Sequence, residues 1–100
     1  MKLDQLEEAE EELNQALEYD KNNYRLHMTM AELMELLKDI PEVIKSYKKA
    51  AKADKKRPEP HERLQSIYEK IGFEDLAEDE QEIADRLRKV LYKKSPKKKK

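Results

Sequence analysis

Residues 24–57 read YRLHMTMAELMELLKDIPEVIKSYKKAAKADKKR, two amphipathic segments that meet at Lys38-Asp39. The same pattern recurs 34 residues away on both sides. Downstream, His27, Met30, Leu33, Met34 and Leu37 are matched by His61, Leu64, Ile67, Tyr68 and Ile71. Upstream, Val43, Tyr47, Ala50 and Asp54 are matched by Ala9, Leu13, Ala16 and Asp20. A fixed period of this length is the signature of stacked helical repeats, each of which buries its apolar stripe mainly against its neighbours. The expected fold is therefore all-α: a right-handed stack of five antiparallel helices, an α-solenoid.

Composition agrees with such an array and excludes several chemistries. Leu, Ile, Val and Phe number only 20 in 100 residues, and 45% of the chain is charged. So little apolar material suits a fold that shares its core between neighbouring units. There is no cysteine, which removes disulfides, thiolate catalysis and Cys-based zinc sites. No apolar run approaches a membrane span, and MKLDQLEEAEEE at the start cannot be the apolar part of a signal peptide. A cytoplasmic protein, with the nucleus open to it, or a piece of a longer intracellular chain, is expected. Charge is unevenly placed. Six of the 22 basic residues lie in 93–100, leaving 16 against 23 acids, a body of about −7 and a tail of +6.

The expected helices follow from spacing and caps. The first spans about Asp4 to Tyr19, with Asp4 and Glu7 as a capping box and Leu6, Ala9, Leu13, Ala16 and Leu17 on one face. Asn22 or Asn23 caps the second, about Tyr24 to Lys38, whose stripe is Leu26, Met30, Leu33, Met34 and Leu37. The third starts near Ile40 with Asp39 and Glu42 as a capping box, buries Val43, Ile44, Tyr47, Ala50 and Ala51, and closes on Lys55-Lys56-Arg57. The fourth opens at Pro58 to Pro60 and buries Leu64, Ile67, Tyr68 and Ile71. Gly72 marks a left-handed helix end. The fifth runs from about Glu74 to Leu91 with Leu76, Ala77, Ile83, Ala84, Leu87 and Leu91 inward. KKSPKKKK has no apolar content and is expected to be disordered.

These residues resemble a tetratricopeptide repeat (TPR), a helix-turn-helix unit of 34 residues. LEEAEEELNQALEYDKNN is similar to the second half of a repeat, with Lys21 in place of the usual proline. Residues 24–57 resemble a whole repeat, with Ala31 and Ala50 at the small positions where helices cross and Val43 slightly larger than usual. Residues 58–91 resemble another, with Gly72 at the turn and Ala77 and Ala84 at small positions. The implied organisation is a helical domain over 1–92, made of a half-repeat 3–23 and repeats 24–57 and 58–91, followed by a lysine-rich tail, 93–100. Gln81 and Asp85 replace Tyr47 and Ala51 of the middle copy, so the fifth helix is expected to be a polar cap. At the other end Leu6, Leu13 and Leu17 are expected to form a partly exposed strip suited to self-association, as in a homodimer.

The resemblance implies a non-enzymatic module that binds a protein or peptide in a concave groove lined by the first helix of each repeat. Carried over residue by residue, that groove presents Arg25, Met28, Thr29, Glu32, Glu35 and Leu36, then Glu59, Glu62, Arg63, Ser66, Glu69 and Lys70. Five of the twelve are glutamates, so the expected ligand is basic or mixed in charge. The competing reading is a solvated helix face. Chaperone-binding members of the family clamp a C-terminal carboxylate with Lys, Asn and Arg. Here Met28 and Glu32 stand where the first Lys and Asn would be and Glu59 at the later Lys, with only Arg63 agreeing, so such a ligand is not expected. Natural and engineered repeat proteins fit the sequence equally.

Other signals are weaker. His27 and His61 hold equivalent repeat positions and read as packing residues rather than metal ligands. Met30 and Met34 are at core spacing, and only Met28 is expected to face the groove. The acid runs Glu10-Glu11-Glu12 and Glu78-Asp79-Glu80 read as solvated faces. No nucleophile-base set, glycine-rich loop or buried carboxylate pair occurs, so neither catalysis nor a cofactor is expected. The tail lysines Lys93, Lys94, Lys97, Lys98, Lys99 and Lys100 support an alternative, weakly, in which the protein contacts nucleic acid through charge alone or enters the nucleus. Ser95, before Pro96, resembles a kinase site. A merely solubilising tail is the competing account.

Overall fold

A computed structural model of the chain describes residues 3–93, and side chains as far as Leu91. Lys94, Ser95 and Lys97 to Lys100 lie outside the described residues, as does the side chain of Lys93. Five helices make up the fold: α1 (Leu3–Tyr19), α2 (Tyr24–Leu36), α3 (Ile40–Ala53), α4 (Glu59–Ile71) and α5 (Glu74–Lys93). No strand occurs among the described residues. The fold is all-α.

The chain forms two compact units, Met1–Lys55 and Lys56–Lys100. In the first, α1 packs on α2 and α2 on α3. Its core holds Leu6, Met30, Leu33, Met34 and Tyr47, with Ala31, Val43 and Ala50 fully buried. Small side chains at those last positions let backbones approach closely, and large ones fill the space beside them. In the second unit α4 packs on α5, and Pro60, Leu64, Ile67, Tyr68, Ala77 and Ala84 are buried. The expected stripe on α2 is buried or half-buried throughout, as is that on α3.

Several expectations are corrected. Ile71, Leu76 and Leu91 are 39%, 44% and 48% exposed rather than inward. Each lies at or near a helix end, where periodic spacing no longer guarantees a neighbour to cover it. Asp4 and Glu7 do not form a capping box. Asp4 lies inside α1, and its Oδ1 accepts from the amide of Gln5. α3 stops at Ala53 with Asp54 as its C-cap, so Lys55-Lys56-Arg57 lies beyond the helix and Lys52 is the cation of the last turn.

The caps that do form are specific. Asn23, not Asn22, caps α2: its Oδ1 accepts from the Leu26 amide at 2.9 Å, and its Nδ2 donates to Asp20 Oδ2 at 2.9 Å. Asp39 caps α3 by accepting from the Glu42 amide at 3.3 Å. The reciprocal half of that box is absent, because the Asp39 amide donates to the Met34 carbonyl and the Glu42 carboxylate lies 3.8 Å from Lys45.

Helix α2 ends two residues before the expected Lys38, for a backbone reason. Lys38 sits at φ 60, in the left-handed region. Its amide donates to Glu35 O and that of Asp39 to Met34 O, the paired bonds of a Schellman helix end. Thirty-four residues on, Gly72 sits at φ 88, with its amide on Glu69 O and that of Phe73 on Tyr68 O. Both helices end in the same backbone geometry, although the pivot residue is lysine in one and glycine in the other.

Candidate interaction surfaces

The α2 surface is built by the helix period. Met28, Glu32 and Leu36 fall four residues apart and so share one stripe, flanked by Arg25, Thr29 and Glu35. Met28 is half-buried and the other five are exposed, with Leu36 at 60%. Two of these groups are engaged locally. Thr29 Oγ1 donates to the Arg25 carbonyl at 2.9 Å, and the hydroxyl of fully buried Tyr47 donates to Glu35 Oε1 at 3.1 Å. Glu35 thus satisfies a core phenol, which leaves Glu32 as the exposed acid of the stripe.

On α4, Glu59, Arg63, Ser66, Glu69 and Lys70 are exposed and Glu62 is half-buried. Here too the carboxylates are partly spent. Glu69 accepts from Gln65 at 3.3 Å. Glu62 and Asp85 both accept from the guanidinium of Arg88 on α5. Desolvation lowers the Arg88 pKa, but the hydrogen bond to Asp85 and the nearby charge of Glu62 outweigh it and hold it above the ordinary value. Asp85, read from sequence as a polar cap position, holds Arg88 from the same helix, and the bond from Arg88 to Glu62 ties α5 to α4. Local spacing carries no signal of this tie, because Glu62 and Arg88 are 26 residues apart.

The two histidines are held in opposite ways. Buried His27 uses Nε2, 2.7 Å from the carbonyl of Lys21, so Nε2 carries the proton. His61 uses Nδ1, 2.7 Å from Glu80 Oε1, with both side chains about 15% exposed. Each imidazole therefore has a structural partner within its own unit. Among the described residues no group of three or more His, Cys, Asp or Glu is arranged to hold a metal ion.

On α1, Leu6 is only 6% exposed and belongs to the core of the first unit, so it is corrected from the expected self-association strip. It is buried in the unit in which α1 packs on α2. Leu13 and Leu17 are half-buried.

A tetratricopeptide repeat family model matches residues 1–67 of this chain. The chain belongs to the tetratricopeptide repeat family. The TPR match covers α1, α2 and α3 and runs into α4. TPR units generally serve as protein-interaction modules. No curated protein matches the chain. No helix among the described residues is long and apolar enough to cross a membrane.

Proposed function

We propose that this TPR protein is a non-enzymatic interaction module, and that the stripe Met28, Glu32 and Leu36 on α2 contacts a basic or mixed-charge peptide or helix. What supports this reading is the pairing of an exposed leucine with an exposed acid on one helix face, while neighbouring Glu35 is committed to Tyr47. Apolar anchors next to a single charge bind a short segment with one or two apolar residues and a nearby Lys or Arg. The α4 surface is a second contact, where exposed Arg63 and Lys70 beside Glu59 and Glu69 offer mixed charge.

The test is peptide-display selection on the full chain. Wild type should enrich ligands that combine Lys or Arg with apolar residues. Glu32→Lys with Leu36→Ala should lose that enrichment while melting at the wild-type temperature. Unchanged enrichment in the folded double variant would remove the α2 stripe from the reading. Glu35→Lys is unsuitable for this purpose, since it also removes the hydrogen bond between Glu35 and Tyr47.

Self-association through α1 is a second reading, supported by half-exposed Leu13 and Leu17. Sedimentation across a concentration series, with Leu13→Glu beside wild type, decides it; a strictly monomeric wild type ends it.

A further inference from the structure

A cleft of about 440 Å³ in the first unit is lined by Lys21, Lys49 and Lys52, with Asn14 and Asn22 beside them and His27 and Leu17 among its walls. We propose that it binds a compact oligophosphate. Two elements bring the lysines together: the turn after α1 carries Lys21, and the last two turns of α3 carry Lys49 and Lys52. The bond from His27 Nε2 to the Lys21 carbonyl ties that turn to α2 and fixes the rim. All three lysines are exposed, and Glu18 is the one acid in the lining, so the cleft carries a net +2. This stands against a body of about −7, so the positive charge is local rather than a property of the whole surface.

The volume suits a small ligand rather than a long polymer. Lysine ammonium groups act as point charges toward phosphate oxygens, and the two asparagine amides supply neutral donors. Lysines here also complement the carbonyl ends of α1 and α3. That role needs one cation for each helix end and predicts no ligand.

The experiment uses the full chain with Lys94 and Lys97 to Lys100 changed to Gln, so that the tail does not compete for anions. Inorganic tripolyphosphate is titrated by calorimetry and by amide NMR. Binding with shifts confined to the Asn14–Lys21 and Lys49–Lys52 stretches is expected. Lys49→Ala with Lys52→Ala should weaken it about a hundredfold, roughly tenfold for each charge-assisted contact. Lys45→Ala, on the same helix but outside the lining, should change it less than about twofold, as for an exposed charge at a distance. Vesicles bearing a phosphorylated headgroup form a second arm; tighter binding there than to tripolyphosphate keeps the phosphate chemistry and names lipid as its source. Four results overturn the proposal: no binding, shifts elsewhere, equal losses at Lys45, or tighter binding of polyglutamate or an oligonucleotide. A double variant that melts lower than its parent while neither binds tripolyphosphate leaves helix-end complementation as the whole role of these lysines.

Discussion

Helical pairs α2/α3 and α4/α5 are two renderings of one 34-residue plan, and they differ most at their turns and on the outer face of their second helix. In α2/α3 the left-handed pivot is Lys38, the next residue Asp39 caps α3, and Tyr47 is fully buried. In α4/α5 the pivot is Gly72, the next residue is 53%-exposed Phe73, and Gln81 at the Tyr47 position is exposed. The histidines differ likewise: His27 anchors a turn carbonyl and His61 a carboxylate on the partner helix. One pair spends its side chains on an apolar core and a helix cap. The other has an apolar core of Leu64, Ile67, Tyr68, Ala77 and Ala84, and adds glycine at the turn and polar ties between its helices, His61 to Glu80 and Arg88 to Glu62. A repeat can thus keep its backbone while one apolar core position gives way to a polar one and side-chain ties are placed elsewhere.

The largest test of that contrast is Tyr47→Ala. It should cost about 3–5 kcal/mol by denaturant unfolding, as for loss of a large buried aromatic. Gln81→Ala at the equivalent position should stay within about 0.5 kcal/mol, as for a surface change. Equal costs would show that the second pair has an apolar core at that position after all.

Next comes the His61 to Glu80 tie. Removing one partner leaves the other largely buried and unsatisfied, so His61→Ala should cost about 1–3 kcal/mol. A double-mutant cycle with Glu80→Ala should recover part of that cost; strict additivity would show that the pair does not act as one. Nitrogen NMR of the neutral imidazoles should find His61 protonated on Nδ1 and His27 on Nε2.

The pivots give a smaller effect of opposite sign. A β-carbon at Gly72 meets nothing within 4 Å, so Gly72→Ala should be destabilised only by the left-handed backbone, about 1 kcal/mol. Lys38→Gly removes the same strain and should stabilise, by less than about 1 kcal/mol because the unfolded chain gains freedom. Smallest and most local is the cap: Asp39→Ala should cost about 1 kcal/mol, and Phe73→Asp should gain a few tenths to about 1 by installing the missing cap.

Much of this molecule is legible in order of residues alone. The 34-residue register and the apolar spacing determined five helices and the buried stripe of α2, because helical periodicity is a local property of the chain, while the family resemblance marked the small positions Ala31, Ala50, Ala77 and Ala84. Gly72 announced its cap for the same reason, and the Asn22-Asn23 pair announced one that the structure gives to Asn23. Lys38 did not, since the left-handed pivot there is imposed by the bonds that close α2 rather than by the residue that occupies it. The expected surface includes three acids that the structure engages with other side chains, Glu35, Glu62 and Glu69. Whether Glu35, Glu62 and Glu80 face solvent or a partner depends on which side chain another helix delivers, Tyr47, Arg88 or His61, from 12 to 26 residues away. Leu6 is covered and Leu76 is not, on the same grounds. The sequence sets the period, and so the helices and their apolar faces. Only packing decides which polar groups are consumed in holding helices together and which are left for a ligand, because that choice turns on distances between residues that no local spacing fixes.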